Sequence, residues 1–110
     1  MEECVFCKIV KGEIPSTKVY EDEKVVAFKD IEPIAPIHIL VIPKEHIQSL
    51  IELKNDELLV HIFKVIKQVA KETGVSEKGY RVLTNIGEDG GQAVKHLHFH
   101  VMGGTKLPTR

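Results

Sequence analysis

The stretch Val94-Lys95-His96-Leu97-His98-Phe99-His100-Val101-Met102 alternates histidines with apolar residues. Successive side chains of a β-strand point to opposite faces of a sheet, so this alternation predicts a strand with two different faces. One face carries Leu97, Phe99 and Val101, which we expect to pack into a core. The other face presents His96, His98 and His100 in a row, where the strand would hold the three imidazoles toward a ligand.

The histidine row is suited to chemistry at neutral pH, because imidazole can act there as a nucleophile, a general base or a metal ligand. The glycine-rich turn Gly87-Glu88-Asp89-Gly90-Gly91-Gln92 lies just before the row. Backbone N–H groups of such a turn can converge on an anion. We therefore predict a phosphate site beside the row. The alternatives are a hydrolytic zinc site on the three histidines and a solvated histidine-rich edge.

The composition limits the class and the partners of the chain. Its 110 residues fit a single domain, residues 1–110, and a chain this short gains core by pairing with a second copy. The formal net charge is −1 with charges interspersed, which favours a small ligand over nucleic acid. The acidic start and the short apolar run at 37–42 predict neither a signal peptide nor a membrane span, so we expect a cytoplasmic protein.

Periodicity elsewhere predicts two helices and four more strands. In chain order these are a short helix with apolar residues from Val5 to Val10 that ends at Gly12, a hairpin of strands 17–21 and 25–30, a strand at 37–42 closed by Pro43, a long helix from the N-cap Asn55 to Gly74, and a strand at 80–86. The connections between strands are mostly short, so we expect an α+β fold with a five-stranded antiparallel sheet, one long helix and one short helix. His38 then lies on a strand, His46 in the following loop, and His61 on the long helix as an ordinary surface histidine.

The segment His96-Leu97-His98-Phe99-His100-Val101-Met102 resembles the signature of the histidine triad family, in which three histidines alternate with apolar residues. The resemblance extends over nearly the whole chain. It includes Gly12-Glu13-Ile14-Pro15, Phe28-Lys29-Asp30-Ile31, His38-Ile39-Leu40-Val41-Ile42-Pro43, Asn85 and Gly90-Gly91-Gln92. The chain is most similar to the nucleotide-binding, nucleoside phosphoramidase branch, and the dinucleoside polyphosphate hydrolase branch is the alternative.

This resemblance implies a set of catalytic and nucleotide-binding residues. His98 would be the nucleophile that attacks the α-phosphate of a purine nucleotide and forms a nucleotidyl-histidine, without a catalytic metal. His96 and His100 complete the triad, and His38 would orient it. Asp30 would accept the ribose hydroxyls, although it could also be a turn residue. The phosphate would be held by His100, Asn85, Gln92 and the loop around Ala93, and the purine pocket would be formed by Val5, Phe6, Ile9, Phe28, Ile31 and Leu40.

The pair Cys4 and Cys7 forms a second constellation. A single C-x-x-C is weak evidence, and two cysteines in a reducing compartment could also be buried free thiols. Some bacterial members of the family, similar in this respect to galactose-1-phosphate uridylyltransferases, complete such a pair with two histidines. Here those would be His46 and His96, so the resemblance implies a structural zinc site formed by Cys4, Cys7, His46 and His96.

Ala93 departs from the phosphoramidase pattern, where a serine hydroxyl often assists the leaving group. We expect a nucleoside 5′-phosphoramidase or related nucleotidyl hydrolase. The alternatives are a dinucleoside polyphosphate hydrolase, a non-catalytic nucleotide sensor and a metal hydrolase with zinc on the triad. The resemblance also implies a homodimer, in which two sheets join edge to edge.

Overall fold

The computed structural model describes residues 4–109, so the acidic start of the chain lies outside the described residues. The elements are α1 (Val5–Val10), β1 (Lys18–Glu21), β2 (Val25–Lys29), β3 (Ile37–Pro43), α2 (Asp56–Thr73), a 3₁₀ turn (Val75–Glu77), β4 (Arg81–Leu83) and β5 (Phe99–Gly103). In these residues no helix is both long and apolar enough to cross a bilayer.

The five strands form one sheet in the order β1-β2-β3-β5-β4, and every neighbouring pair is antiparallel. This confirms the predicted α+β class with one long and one short helix. The last strand inserts between β3 and β4, so His100 lies opposite Leu40 and Met102 opposite His38. The strand that carries His100 is therefore an interior strand of the sheet.

The two faces of the sheet have different coverings. Val41 and Val101 point to one face, where they join a buried cluster with Ile62 and Ile66 of α2. On the other face Phe28 and Leu40 pack with Phe6 and Ile9 of α1 in a second cluster. The strands can be apolar on both sides because each face has its own helix. Only the face under α1 carries the histidines.

Helix α2 has the boundaries that the sequence predicts. The Asn55 side chain accepts a hydrogen bond from the Leu58 N–H at 3.1 Å, and Gly74 ends the helix in the left-handed region at φ 88°. His61 is not the ordinary surface histidine that we expected. Its Nε2 lies 2.7 Å from Asp22 Oδ2, which ties α2 to the turn between β1 and β2.

Two predicted strands are shorter in the structure. β5 begins at Phe99, so only His100 of the three histidines lies on the strand. The chain leaves the ladder there because β3 ends at Pro43, which has no N–H to donate. Leu97 instead donates its N–H to the Ile47 carbonyl at 2.7 Å. The strand predicted at 80–86 keeps only Arg81–Leu83.

Candidate active site and metal cluster

The alternation of the row persists although two of its histidines precede β5. Leu97, Phe99 and Val101 lie in the cluster under α2, as predicted. His96 and His98 are also buried, and His100 is half-buried. The interpretation as a solvated histidine-rich edge is therefore wrong.

His98 is held by its neighbour in the chain. Its Nδ1 lies 2.7 Å from the backbone carbonyl oxygen of His96. A carbonyl oxygen can only accept, so Nδ1 carries the imidazole proton and Nε2 keeps its lone pair. The ring packs against Phe6 in a T-shaped contact with ring centres 5.1 Å apart. His98 thus has the tautomer in which Nε2 can attack an electrophile.

His100 is oriented by His38 on β3. The backbone N–H of Ile34 donates to His38 Nδ1 across 3.2 Å, which leaves the His38 proton on Nε2. That Nε2–H donates to His100 Nδ1 at 2.9 Å. His100 must then carry its own proton on Nε2. The relay from Ile34 through His38 therefore makes His100 a hydrogen-bond donor at Nε2.

Burial keeps the relay uncharged. It lowers the pKa of His100 to about 4, with support from His98 and His38 and against the attraction of Asp30. Burial also lowers the pKa of His38, again against Asp30. At neutral pH both rings are neutral, so each has one donor and one acceptor nitrogen.

The glycine-rich turn is held in its shape by a side-chain amide. Asn85 Nδ2 donates to the Gly90 carbonyl oxygen at 2.9 Å. A Cβ atom at Gly90 would lie 2.3 Å from the Ile86 carbonyl oxygen, so only glycine fits there. Asn85 keeps its amide oxygen and one N–H for a ligand.

Gln92 is buried, and both N–H groups of its side-chain amide are already bonded. Its Oε1 accepts from the Gly87 N–H at 2.9 Å, and its Nε2 donates to the carbonyls of Gln48 at 2.6 Å and Val94 at 3.0 Å. Direct contact of this side chain with a phosphate oxygen, as we predicted, does not fit that arrangement. Gln92 shapes the loop instead, while Ala93 beside it is exposed.

Asp30 closes a turn, which is one of the two roles that the sequence left open for it. Its Oδ1 accepts from the Glu32 N–H at 2.9 Å, which closes a turn after β2. Its Oδ2 lies 3.4 Å from His38 Nε2. The second oxygen therefore remains available to accept a ligand hydroxyl beside the histidines.

The six residues predicted to line the purine pocket fall into two groups. Four of them, Phe6, Ile9, Phe28 and Leu40, are buried in the cluster under α1. The rings of Phe6 and Phe28 make an edge contact with centres 5.6 Å apart. The other two, Val5 and Ile31, are exposed, and Ile31 keeps 90% of its accessible surface. Val5 and Ile31 are therefore not part of that buried cluster.

The four residues of the metal cluster, Cys4, Cys7, His46 and His96, come together, with donor atoms within 4.8 Å of one another. Cys4 Sγ lies 3.3 Å from His96 Nδ1, and Cys7 Sγ lies 3.2 Å from His46 Nδ1 and 3.6 Å from His96 Nδ1. Tetrahedral zinc with ordinary Zn–S and Zn–N bonds separates such atoms by about 3.6 Å.

The protonation of these side chains also fits a metal. His96 Nε2 donates to the Pro43 carbonyl at 2.8 Å, so its Nδ1 has a lone pair that faces the thiols. Burial lowers the pKa of His96 to about 4, which keeps it neutral. Burial and the adjacent Cys4 raise the pKa of Cys7, so this thiol keeps its proton until a metal displaces it. The two thiols and the two imidazoles form a donor set of the type that binds zinc.

A second group of metal-ligand type consists of Asp30, His38 and His100. The relay argues against a cation here, because His38 Nε2 carries a proton and points it at His100. Zinc on the three triad histidines also finds no support within residues 4–109, where His96 turns to the cysteines and His98 Nδ1 to a carbonyl.

Two residues that position the site could not be predicted from the sequence. Thr84 Oγ1 donates to the His98 carbonyl at 2.7 Å, and the Ile34 N–H fixes the tautomer of His38. A threonine after a strand gives no signal of this role. A backbone N–H carries no side-chain signal at all.

With this geometry established, comparison with known proteins gives the family. The model of the HIT domain matches residues 11–107. The chain belongs to the HIT domain family. A 14 kDa zinc-binding protein from Zea mays is 50% identical over 107 residues, which cover 94% of this chain and 83% of that protein.

Solved HIT structures have the same fold. A HIT family hydrolase from Clostridium thermocellum is 51% identical with a TM-score of 0.96, over 100% of this chain and 97% of that one. A histidine triad nucleotide-binding protein from Candida albicans is 40% identical with a TM-score of 0.85, over 98% of this chain and 85% of that one. At these identities the likeness extends beyond the fold to the family.

Proposed function

We propose that this HIT domain is a hydrolase of purine nucleoside 5′-phosphoramidates or related adenylylated compounds. The observation that carries the proposal is the tautomer of His98, whose Nδ1–H is bound by the His96 carbonyl so that Nε2 keeps a lone pair. The names of the Clostridium thermocellum and Candida albicans relatives, a hydrolase and a nucleotide-binding protein, agree with it.

The proposed reaction has two steps. His98 Nε2 attacks the α-phosphorus, an N–P bond forms to the ring, and the P–N bond of the substrate breaks as the amine takes a proton from solvent and leaves. Water then attacks the same phosphorus, and the N–P bond to His98 breaks. The nucleoside monophosphate leaves with the hydroxyl group of that water, and the other proton of the water returns to solvent. No step requires a metal ion.

The phosphate would be bound by neutral donors. His100 offers its Nε2–H because His38 donates to its Nδ1. Asn85 would supply a further donor through its remaining N–H. Three N–H groups of the glycine-rich turn are bonded within the turn, so only its other N–H groups would add donors. Donors held in advance by the fold need no reorganisation as charge develops on the phosphate oxygens.

The nucleoside end of the substrate would lie along α1 and Asp30. Asp30 Oδ2 accepts a ribose hydroxyl, while Oδ1 stays in its turn. The base would insert against the cluster that contains Phe6, Phe28 and Leu40. Aromatic and aliphatic side chains of this kind favour a large flat base.

We also propose that Cys4, Cys7, His46 and His96 bind structural zinc. Four protein ligands leave no open coordination position, so the ion would crosslink α1, the loop after β3 and the triad segment and would not bind substrate. Elemental analysis should find about one zinc per chain. A metal-free protein whose melting temperature does not change with added zinc would contradict this.

The decisive experiment measures turnover of adenosine 5′-phosphoramidates with leaving groups of graded basicity. His98→Ala should abolish it, while His61→Ala, a histidine outside the site, should retain it. Hydrolysis at saturating substrate should persist after chelation wherever the fold survives, because no step requires a metal. Wild-type rates equal to those of His98→Ala, with nucleotide still bound, would support the nucleotide sensor and refute the hydrolase.

Ala93 gives the same assay a second arm. An exposed methyl group cannot donate a proton to the departing amine. Substrates with strongly basic leaving groups should therefore be hydrolysed slowly. Ala93→Ser should raise the hydrolysis rates of these substrates by up to roughly 100-fold. The rates for substrates with weakly basic leaving groups should stay nearly unchanged. An equal effect on all substrates would mean that position 93 acts through shape.

A further inference from the structure

Helix α1 belongs to both sites. Cys4 is its N-cap, with Sγ 3.3 Å from the Cys7 N–H, and both thiols face the metal-cluster histidines. Phe6 and Ile9 on the same helix are buried in the cluster proposed to receive the base. Residues that would bind metal and residues that would bind base therefore lie on one helix of six residues and its N-cap.

This helix depends on contacts outside itself. A segment of six residues cannot form a stable helix alone, because nucleation costs more than its few hydrogen bonds return. Only Phe6 and Ile9 of α1 are buried, and Val5 keeps 38% of its accessible surface. A crosslink through Cys4 and Cys7 to two distant histidines would supply the missing restraint.

His96 provides a second connection between the sites. Its side chain turns Nδ1 toward both thiols and anchors Nε2 on Pro43. Its backbone carbonyl accepts the Nδ1–H of His98. A contact that restrains the His96 ring therefore also restrains the His96 carbonyl, and this carbonyl sets the tautomer of His98.

We propose that the metal cluster is a positioning device for the nucleotide site, so that zinc and a purine nucleotide bind this chain cooperatively. The proposal rests on the proposed function. Zinc binding to Cys4, Cys7, His46 and His96 restrains α1 and His96 and so completes the base pocket in advance. Linkage then requires that the nucleotide tighten zinc binding by the same factor by which zinc tightens nucleotide binding.

The test measures both affinities on the full chain. Calorimetry compares adenosine 5′-monophosphate binding by the zinc-loaded and the metal-stripped protein, and competition with a chelator gives the zinc affinity with and without the nucleotide. We expect each ligand to tighten the other by the same factor, roughly 5- to 150-fold. Far-UV circular dichroism of the stripped protein should keep its signal, because the core between α2 and the sheet contains none of the four ligands.

The outcomes separate this proposal from the proposed function. Equal nucleotide affinities with and without zinc overturn the coupling and leave the hydrolase intact. No binding to the zinc-loaded protein means that the proposed function itself fails and takes the coupling with it. Loss of the fold on stripping also overturns the coupling, since zinc would then act on the whole chain.

A matched pair of variants tests transmission through α1. Lys8 lies between Cys7 and Ile9, so Lys8→Gly loosens the helix without removing a ligand or a pocket side chain, and Lys8→Ala keeps it firm. The coupling factor should shrink in Lys8→Gly and persist in Lys8→Ala. The same factor in both variants would overturn α1 as the connecting element.

Discussion

The hydroxyl group of Thr84 holds the backbone of the proposed nucleophile, His98, in place. Its Oγ1 donates to the His98 carbonyl at 2.7 Å. Thr84→Val keeps the shape and removes the donor, so the free energy of unfolding should fall by about 0.5–1.5 kcal/mol. The rate of nucleotidyl transfer to His98 should fall by up to roughly tenfold, measured in single turnovers.

Thr84→Ser is the control for this prediction, because it keeps the hydroxyl and loses only a methyl group. Its transfer rate should stay near that of the wild type. If Thr84→Ser and Thr84→Val slow transfer equally, the methyl group and not the hydrogen bond is what positions His98.

The face on which the three imidazoles lie could be predicted from the sequence, but their tautomers could not. Alternation with Leu97 and Phe99 was enough to assign the three imidazoles to one side of the chain. For His96 and His100, however, the position of the proton is set by a partner that is distant in sequence. His96 depends on the Pro43 carbonyl, 53 positions away, and His100 on His38, 62 positions away. Sequence spacing carries no information on those contacts.

At the scale of elements, the glycine-rich turn offers a sharp test. A Cβ atom at Gly90 would lie 2.3 Å from the Ile86 carbonyl oxygen and 2.7 Å from its nitrogen. Because backbone atoms cannot move aside cheaply, Gly90→Ala should distort the turn and break the contact with Asn85. The affinity for adenosine 5′-monophosphate, measured by calorimetry, should fall at least roughly tenfold.

The control for the turn is Gly79→Ala. Gly79 has φ +104° and no atom within 4 Å of a built Cβ, so the substitution strains only its own backbone. It should cost roughly 1–2 kcal/mol of stability and leave the nucleotide affinity unchanged. Unchanged affinity in Gly90→Ala as well would separate the turn from the phosphate site.

Element types followed from periodicity, whereas strand ends did not. Asn55 and Gly74 mark the limits of α2 because a cap and a left-handed glycine are local signals. The start of β5 depends on its neighbour β3, which ends at Pro43, a residue with no N–H to donate. β4 stops at Leu83, and Thr84 then bonds the chain before β5. Such limits are set by a partner strand that is remote in sequence.

For the whole molecule, we predict a homodimer. β4 is an edge strand, and α2 exposes Val60 and Phe63 at i and i+3, with 55% and 41% of their surfaces accessible. Burial of this pair against a second copy would remove apolar surface from water. Val60→Glu should shift the mass measured by light scattering at micromolar concentration from dimer to monomer.

Gln68→Glu adds the same charge to another face of α2 and should leave the dimer intact. A wild-type protein that scatters as a monomer would refute the prediction outright. Dissociation of both variants would show that charge, and not the apolar pair, governs association.

The pH dependence of stability depends on the buried histidines. Burial lowers the pKa of His100 to about 4, while in the unfolded chain it is about 6.5. Between these values the unfolded state binds more protons, so acidification destabilises the fold in this window. Protonation linked to His100 should lower the free energy of unfolding by roughly 2 kcal/mol between pH 7 and pH 4.5.

His100→Gln isolates this contribution, because glutamine does not titrate. Urea unfolding of both proteins should show a shallower loss on acidification in the variant, whatever its absolute stability. Asp22 acts with the same sign but in a lower window. Burial raises its pKa, yet hydrogen bonds from Tyr20, Lys24, His61 and Val25 outweigh burial and hold the pKa well below its usual range. Its contribution is lost only below about pH 4. Parallel curves for wild type and His100→Gln above pH 4.5 would therefore mean that His100 is not held neutral by the fold.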